Sequence, residues 1–190
     1  MKYLLDDWCV EKFRNELESR LGFELKDYHK VVVNSIDNYY GWHEQKEKGK
    51  FFCGIFVENG RIKDTDTTMM KSGLAKIISD FNIESRLTAT QDLILVNIDE
   101  SDIEKINKMF NEFKIDVHES FSLLRKSSMA CPALPTCSLA MAESERFLPS
   151  LIDDLEERGY GNEKIKIRMS GCPNSCSRPP VSEIGLIGLS

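Results

Sequence analysis

Ile165-Lys166-Ile167-Arg168-Met169-Ser170-Gly171-Cys172-Pro173-Asn174-Ser175-Cys176 is the stretch that decides what kind of fold this chain adopts. Ile165, Ile167 and Met169 alternate as the residues of a half-buried strand do. The strand runs straight into a loop carrying two cysteines with three residues between them. A second pair lies upstream in Cys131-Pro-Ala-Leu-Pro-Thr-Cys137, with five residues between the cysteines, and 34 residues separate the two pairs. Behind the first pair, Leu139, Ala142, Phe147, Leu151, Ile152 and Leu155 predict one apolar side of a helix that Gly159 and Gly161 end. One pair therefore precedes a helix and the other follows a strand.

Four thiolates brought together can hold zinc or an iron–sulfur cluster. Structural zinc sites favour paired cysteines two to four residues apart, and the five-residue gap of the first pair is wide for that habit. A cubane is larger than one ion and draws its ligands from more widely spaced points. Proline follows both Cys131 and Cys172, fixing φ and removing an N–H in each loop. The spacing favours a cluster, with zinc or unrelated buried thiols as the alternatives. Cys9 and Cys53 stand alone and read as small buried hydrophobes.

Working outward, the segment up to about Leu21 reads as an amphipathic helix with Val10, Phe13, Leu17 and Leu21 near one face and Gly22 as its stop. Residues 23–50 are polar, and the charged run His43–Lys50 reads as a solvated loop. Lys50 to Val57 predicts a strand, and Asn59-Gly60 a turn into a return strand at Arg61-Ile62. Met70, Leu74, Ile77, Ile78 and Phe81 recur at helical spacing. Arg86 to Ile98 contains a further strand, and Ser101 with Glu104 fits a capping box before a helix carrying Ile103, Ile106, Phe110 and Phe113. Two such α/β repeats suit a small sheet with helices on one side. The predicted class is α+β, in three parts: a helix and linker over 1–49, a small sheet with helices over 50–122 and a further α/β domain over 123–190.

The 190 residues are 41% hydrophobic and 29% charged, a globular rather than disordered composition. A net charge of −6 argues against a general nucleic-acid binder. No uncharged apolar run reaches membrane-spanning length, and the N-terminus loses its apolar character too early for a signal peptide. The expected location is the cytoplasm, where the six cysteines stay reduced and grouped thiols point to metal or redox chemistry.

The residues around the second pair sharpen this. Ser170-Gly-Cys-Pro-Asn-Ser-Cys176, followed after six residues by Glu183-Ile-Gly-Leu186, resembles the signature of sulfite and nitrite reductases that carry sirohaem and a 4Fe-4S cluster. Met129-Ala-Cys131-Pro-Ala-Leu-Pro-Thr-Cys137, continuing to Arg146, resembles the other cluster loop of that family. Gly41-Trp-His-Glu-Gln45, Phe51 to Ile62 and Arg86-Leu-Thr-Ala-Thr-Gln91 are similar to its second half. The resemblance implies a ferredoxin-like half-domain with a helical N-terminal connector, followed by the start of an α/β domain that binds sirohaem and the cluster. It also implies a core strand over 183–188, and a fragment that lacks the family's first half.

By that resemblance Cys131, Cys137, Cys172 and Cys176 ligate the 4Fe-4S cluster, and the Cys176 thiolate also bridges to the sirohaem iron. Sirohaem is a polyanion that calls for Arg, Lys and amide donors. Asn174 and Arg178 are candidates, with Arg86 and Gln91 weaker ones, and Arg125 and Lys126 stand before the first loop. The implied reaction is the six-electron reduction of sulfite to sulfide, with nitrite to ammonia or a non-catalytic four-cysteine metal-binding module as alternatives. The implied partners are sulfite or nitrite, an electron donor (ferredoxin or an NADPH flavoprotein) and a chain supplying the first half. The family's substrate-binding basic residues lie mainly in that half and find no match here. His43 is expected to be structural, and Glu143 and Glu145 to decorate the start of the helix after the first loop.

Overall fold

A computed structural model describes residues 2–27 and 39–189. The chain divides into two compact units, Met1–Asp37 and Asn38–Ser190. The first unit holds helix α1 (Lys2–Leu21), which is broken at Cys9, where φ is 60° and ψ is 163°. Arg14 and Glu18 pair one turn apart at 2.9 Å, and Glu18 accepts the Leu25 N–H at 2.9 Å, folding the chain back after Gly22. The predicted apolar stripe survives only in part. Phe13 and Leu17 are half-buried, whereas Val10, just past the break, is 71% exposed. Cys9 is exposed as well, contrary to its reading as a buried hydrophobe. The linker expected after the helix falls partly on residues 28–38, outside the described residues.

The second unit begins with a four-stranded antiparallel sheet in the order β1-β2-β4-β3. Its strands are β1 (Gly41–Glu44), β2 (Lys50–Ile55), β3 (Glu84–Leu87) and β4 (Leu93–Asp99). Helices α2 (Met70–Phe81) and α3 (Ile103–Glu112) share one core with the sheet, built from Cys53, Ile55, Leu74, Ile77, Leu95, Ile98, Ile106 and Phe110. Fully buried Cys53 belongs to that core as expected, and burial pushes its thiol pKa up to about 12.

Three expectations change here. Strand β1 overlaps the run read as a solvated loop. Gly41 pairs with Gly54, and a Cβ on Gly54 would lie 1.9 Å from the Tyr39 carbonyl oxygen, so only glycine lets the incoming chain this close. Arg61-Ile62 is not a return strand: a 3-10 turn spans Glu58–Gly60 with Asn59 at φ 50°, and the chain leaves the sheet. At the start of α3, the turn Glu100–Asp102 makes Asp102 the N-cap, with no side-chain bond, so the Ser101–Glu104 box is out of position.

A second, parallel sheet follows in the order β5-β6-β7, from β5 (Met129–Ala130), β6 (Ile167–Ser170) and β7 (Ile184–Ile187). Helices α4 (Leu123–Ser127) and α5 (Leu148–Glu157) pack on it through Leu124, Leu148 and Ile152, against Ala130 and Ile167. The helix predicted from Leu139 starts only at Leu148. The backbone donors of residues 141, 142 and 145 are engaged elsewhere: Met141 and Ala142 on the Gly171 carbonyl, Glu145 on the Cys131 carbonyl. Glu143 therefore sits in irregular chain and Glu145 in a turn, paired with Arg146 and Arg61 rather than at a helix start.

Helix α2 approaches its neighbours so closely at Gly73 that a Cβ would lie 2.6 Å from Phe113 Cβ and 2.7 Å from Ile115 Cδ1. Alanine gains about 1 kcal/mol of helix propensity there, but overpacking costs roughly 1–3 kcal/mol. Phe113 Cβ is bonded to the backbone and cannot rotate away. That places the overpacking cost toward its upper end, so Gly73→Ala is expected to lower stability by up to about 2 kcal/mol in urea denaturation. A variant as stable as the parent would contradict this packing.

Candidate metal and cofactor site

Both cysteine loops leave the carboxyl ends of neighbouring parallel strands, β5 and β6, which puts them on one edge of the sheet, where open α/β sheets bind ligands. Cys131 N–H bonds to the Met169 carbonyl at 3.0 Å, extending the β5–β6 ladder by one residue. The Gly171 N–H then donates to Cys131 Sγ at 3.3 Å. A Cβ on Gly171 would lie 2.6 Å from both Ala133 Cβ and the Ala142 carbonyl oxygen, so the loops touch through a residue with no side chain. Each loop is closed by local turns, Cys137 N–H on the Ala133 carbonyl at 2.7 Å and Ser175 N–H on the Cys172 carbonyl at 3.3 Å. Ala133, Ser175 and Arg178 all have positive φ, at 47°, 56° and 60°, a concentration of strained backbone typical of functional loops.

The four thiols are not equivalent. Cys131 and Cys172 are buried, Cys137 is half-buried and Cys176 is exposed. Among the described residues no three Cys, His, Asp or Glu converge as ligands of a single ion. The structure brings Cys131 against Gly171, the neighbour of Cys172, and leaves Cys137 and Cys176 at the outer ends of the loops. Soft sulfur donors on two loops, one of them accepting a backbone N–H, fit a cluster in donor chemistry.

The predicted cofactor contacts are scattered. Asn174 is exposed on the second loop. Arg86 is exposed on β3, 4.0 Å from Glu84. Arg178 Nη2 donates to the Ala89 carbonyl at 2.5 Å, and Gln91 Nε2 to the Ala130 carbonyl at 2.9 Å. The Gln91 Oε1 atom is buried without a partner among the described residues. Arg125 is taken by Glu58 and Glu156, both at 2.6 Å, and by Asp153. Burial works against its charge, but these carboxylates outweigh it and hold the pKa high. Lys126 donates to the His118 carbonyl, and His43 stacks on Phe52 with Nε2 3.0 Å from the Tyr40 carbonyl.

Arg168 was not predicted. Its Nη1 donates to the Ser177 carbonyl at 3.1 Å, and its buried Nε has no partner among the described residues. Arg168 Nη1 and Arg178 Nη2 each lie 3.9 Å from Met129 Sδ, and among the described residues neither guanidinium bonds a carboxylate. Burial, then the charge of Arg178, lowers the Arg168 pKa. Two guanidiniums gathered without an acid suit a polyanion. The available signal was a charged residue inside an apolar alternation next to a cysteine loop.

The loop Thr88–Asp92 that carries Ala89 and Gln91 is anchored by Asp92, 1% exposed. Oδ2 accepts from the Tyr39 hydroxyl at 2.6 Å, Thr90 at 2.9 Å and Tyr40 at 3.0 Å, and Oδ1 accepts the Val57 N–H at 3.0 Å. Burial raises the carboxyl pKa and outweighs these donors, which lower it.

The comparisons agree with this architecture. Residues 43–113 match the family model of the nitrite/sulfite reductase ferredoxin-like half domain. The chain is 42% identical over 191 residues to the hemoprotein beta-component of an NADPH sulfite reductase of Oceanobacillus iheyensis, covering 98% of this chain and 33% of that protein. It is 38% identical to a ferredoxin sulfite reductase of Synechococcus elongatus, covering 99% and 31%. Among solved structures, the NirA protein of Mycobacterium tuberculosis superposes with a TM-score of 0.67 at 26% identity, over 97% of this chain and 34% of that one. The fold is thus that of an α+β sulfite/nitrite reductase segment. Residues 43–113 match the half-domain model, and the chain as a whole is similar to sulfite reductases, spanning about a third of the length of those it matches.

The raised Asp92 pKa gives a signed prediction. A carboxyl with a folded pKa above its unfolded value of about 3.9 contributes stability fully at pH below that value, and the contribution is lost as pH rises through the folded pKa. Urea titrations of wild type and Asp92→Asn across this window are expected to show the wild type losing ground to the variant as pH rises. The opposite slope would contradict the buried, penalised carboxylate.

Proposed function

We propose that this chain forms the cluster-bearing segment of a sulfite reductase that reduces sulfite to sulfide at a sirohaem coupled to a 4Fe-4S cluster. The observation that carries the reading is the docking of two cysteine loops at the ends of adjacent parallel strands, through the Gly171 N–H on Cys131 Sγ. Cys131, Cys137, Cys172 and Cys176 hold the cluster. Exposed Cys176 is the thiol best placed to share its sulfur with a second metal centre. When bound, the coupled centres supply electrons singly to an anion that needs six.

This chain's own residues orient and neutralise. Arg168 and Arg178 offer charge to sirohaem carboxylates, with Asn174 and Arg86 as exposed donors further out. The Gly171 N–H and the tight packing around it keep water from Cys131 and Cys172. Sulfite is favoured over nitrite because the relatives matched at 38–42% identity are named sulfite reductases. Those relatives include NADPH and ferredoxin types, so the donor is named as either an NADPH flavoprotein or ferredoxin. Substrate-binding basic residues and a covering first half come from outside these 190 residues. Among the described residues no helix is long and apolar enough to cross a membrane. The cytoplasmic reading rests on the grouped thiols, which need a reducing compartment to stay available as ligands. The half-domain (50–122) and the cluster domain (123–190) are the functional division of the segment.

Anaerobic reconstitution with iron, sulfide and sirohaem tests the proposal. Sirohaem absorption bands together with a cluster EPR signal are expected, and Cys172→Ser is expected to abolish the cluster signal and most acid-labile sulfide. Full iron and sulfide retention by Cys172→Ser, or stoichiometric zinc with no chromophore, would favour a four-cysteine metal-binding module instead.

A further inference from the structure

We propose that Asn59 and Gln91 are positioning residues for Cys131: two side-chain amides from the half-domain that stand in for a missing strand beside β5. This rests on the reading of Cys131 as a cluster ligand. Strand β5 is two residues long and, among the described residues, pairs only with β6. Cys131 N–H points toward β6, on the Met169 carbonyl, so the N–H and C=O of the preceding residue, Ala130, point to the open edge. Ala130 is fully buried. Left unpaired there, each of these groups carries a desolvation penalty that water cannot relieve.

The half-domain supplies both partners. Asn59 Oδ1 accepts the Ala130 N–H at 3.0 Å, and Gln91 Nε2 donates to the Ala130 carbonyl at 2.9 Å. Asn59 Nδ2 also donates to the Glu145 carbonyl at 3.2 Å, while the Glu145 N–H bonds the Cys131 carbonyl at 3.1 Å. One amide thus spans the two chain segments that close around Cys131. Arg61 fixes the same point by a two-pronged contact with the Glu145 carboxylate at 2.6 and 2.5 Å. Asn59 and Gln91 both have positive φ, 50° and 71°, and a Cβ on Gly60 would lie 3.1 Å from Gln91 Cβ. The two turns are pressed together and strained into the one arrangement that puts both amides on Ala130. Gln91 Nε2, predicted above as a cofactor donor, is instead spent on the strand that carries the ligand.

The test is the reactivity of each thiol in the full chain without metal, read by alkylation with iodoacetamide and peptide mass spectrometry. Asn59→Gly removes both amide bonds while keeping a residue at ease at φ 50°. It is expected to raise the alkylation rate of Cys131 by about fivefold to a hundredfold, the span expected for losing two hydrogen bonds that oppose local opening. Core thiol Cys53 should not change. Asn59→Asp keeps the acceptor for Ala130 and should restore part of the protection. In chain loaded with iron and sulfide, Asn59→Gly should also speed cluster bleaching by a chelator. An unchanged Cys131 rate, or a parallel rise at Cys53, would overturn the proposal. A wild-type chain that takes up no cluster would instead defeat the cluster reading, and the thiol comparison would still decide whether the amides position Cys131.

Discussion

Gly171 has no side chain because there is no room for one, and the arrangement of the second sheet follows from that close approach. Its N–H serves a cysteine sulfur, and its carbonyl receives the N–H groups of Met141 and Ala142. A Cβ on Gly188 would in turn lie 2.5 Å from the same carbonyl oxygen. Three segments distant in sequence therefore meet on one residue. A methyl group on Gly171 would push out the first loop at Ala133 and the turn after it at Ala140 and Ala142, and one on Gly188 would push the end of β7 off the Gly171 carbonyl. The separation of Cys131 from the second loop is set by this packing rather than by either loop alone.

Around that point the protein keeps several buried polar groups and settles them in different ways. Serines 144, 170 and 177 are nearly inaccessible and bond to one another or to the Met169 carbonyl. Asp92 is surrounded by hydroxyls and a backbone N–H. Arg125 takes a different course, gathering three carboxylates between the 3-10 turn at Glu58 and helix α5. Arg168 keeps a buried N–H without a partner among the described residues. Breaking one side of such buried arrangements costs more than their net contribution to stability, because an unpaired group stays behind. They define a unique geometry more than they add to the stability of the fold.

Much of this was legible in the sequence wherever periodicity or composition carried the signal. The helix over Met70–Phe81, the strands at Lys50 and Ile167, and the thiol pairs announce themselves. The failures share a physical cause, which is tertiary bonding that overrides local preference. Residues 139–147 have a helical apolar pattern, yet several of their N–H groups are claimed by the cysteine loops before a helix can use them. Asn59-Gly60 has the composition of a hairpin turn, but its amide is drawn to Ala130 and the hairpin is never made. His43 and Glu44, the end of β1, read as part of the solvated run His43–Lys50 because their strand character depends on Phe51 and Phe52, later in the sequence. Arg168 carries in the sequence only the signal of a charge beside a cysteine loop, since its significance lies in a second arginine and a methionine from other segments.

The direction of protein synthesis gives the amide contacts at Ala130 a temporal meaning. Residues 59 and 91 emerge from the ribosome well before residues 129–131, and the sheet and helices around them form a core of their own. Domains fold from the N-terminal side as they emerge. A half-domain that folds as it emerges would act as a mould, presenting a donor and an acceptor at the spacing of a strand edge before the strand exists. In that order of events Cys131 would be set against the mould first, and Cys172 and Cys176 would join a surface already shaped to receive them.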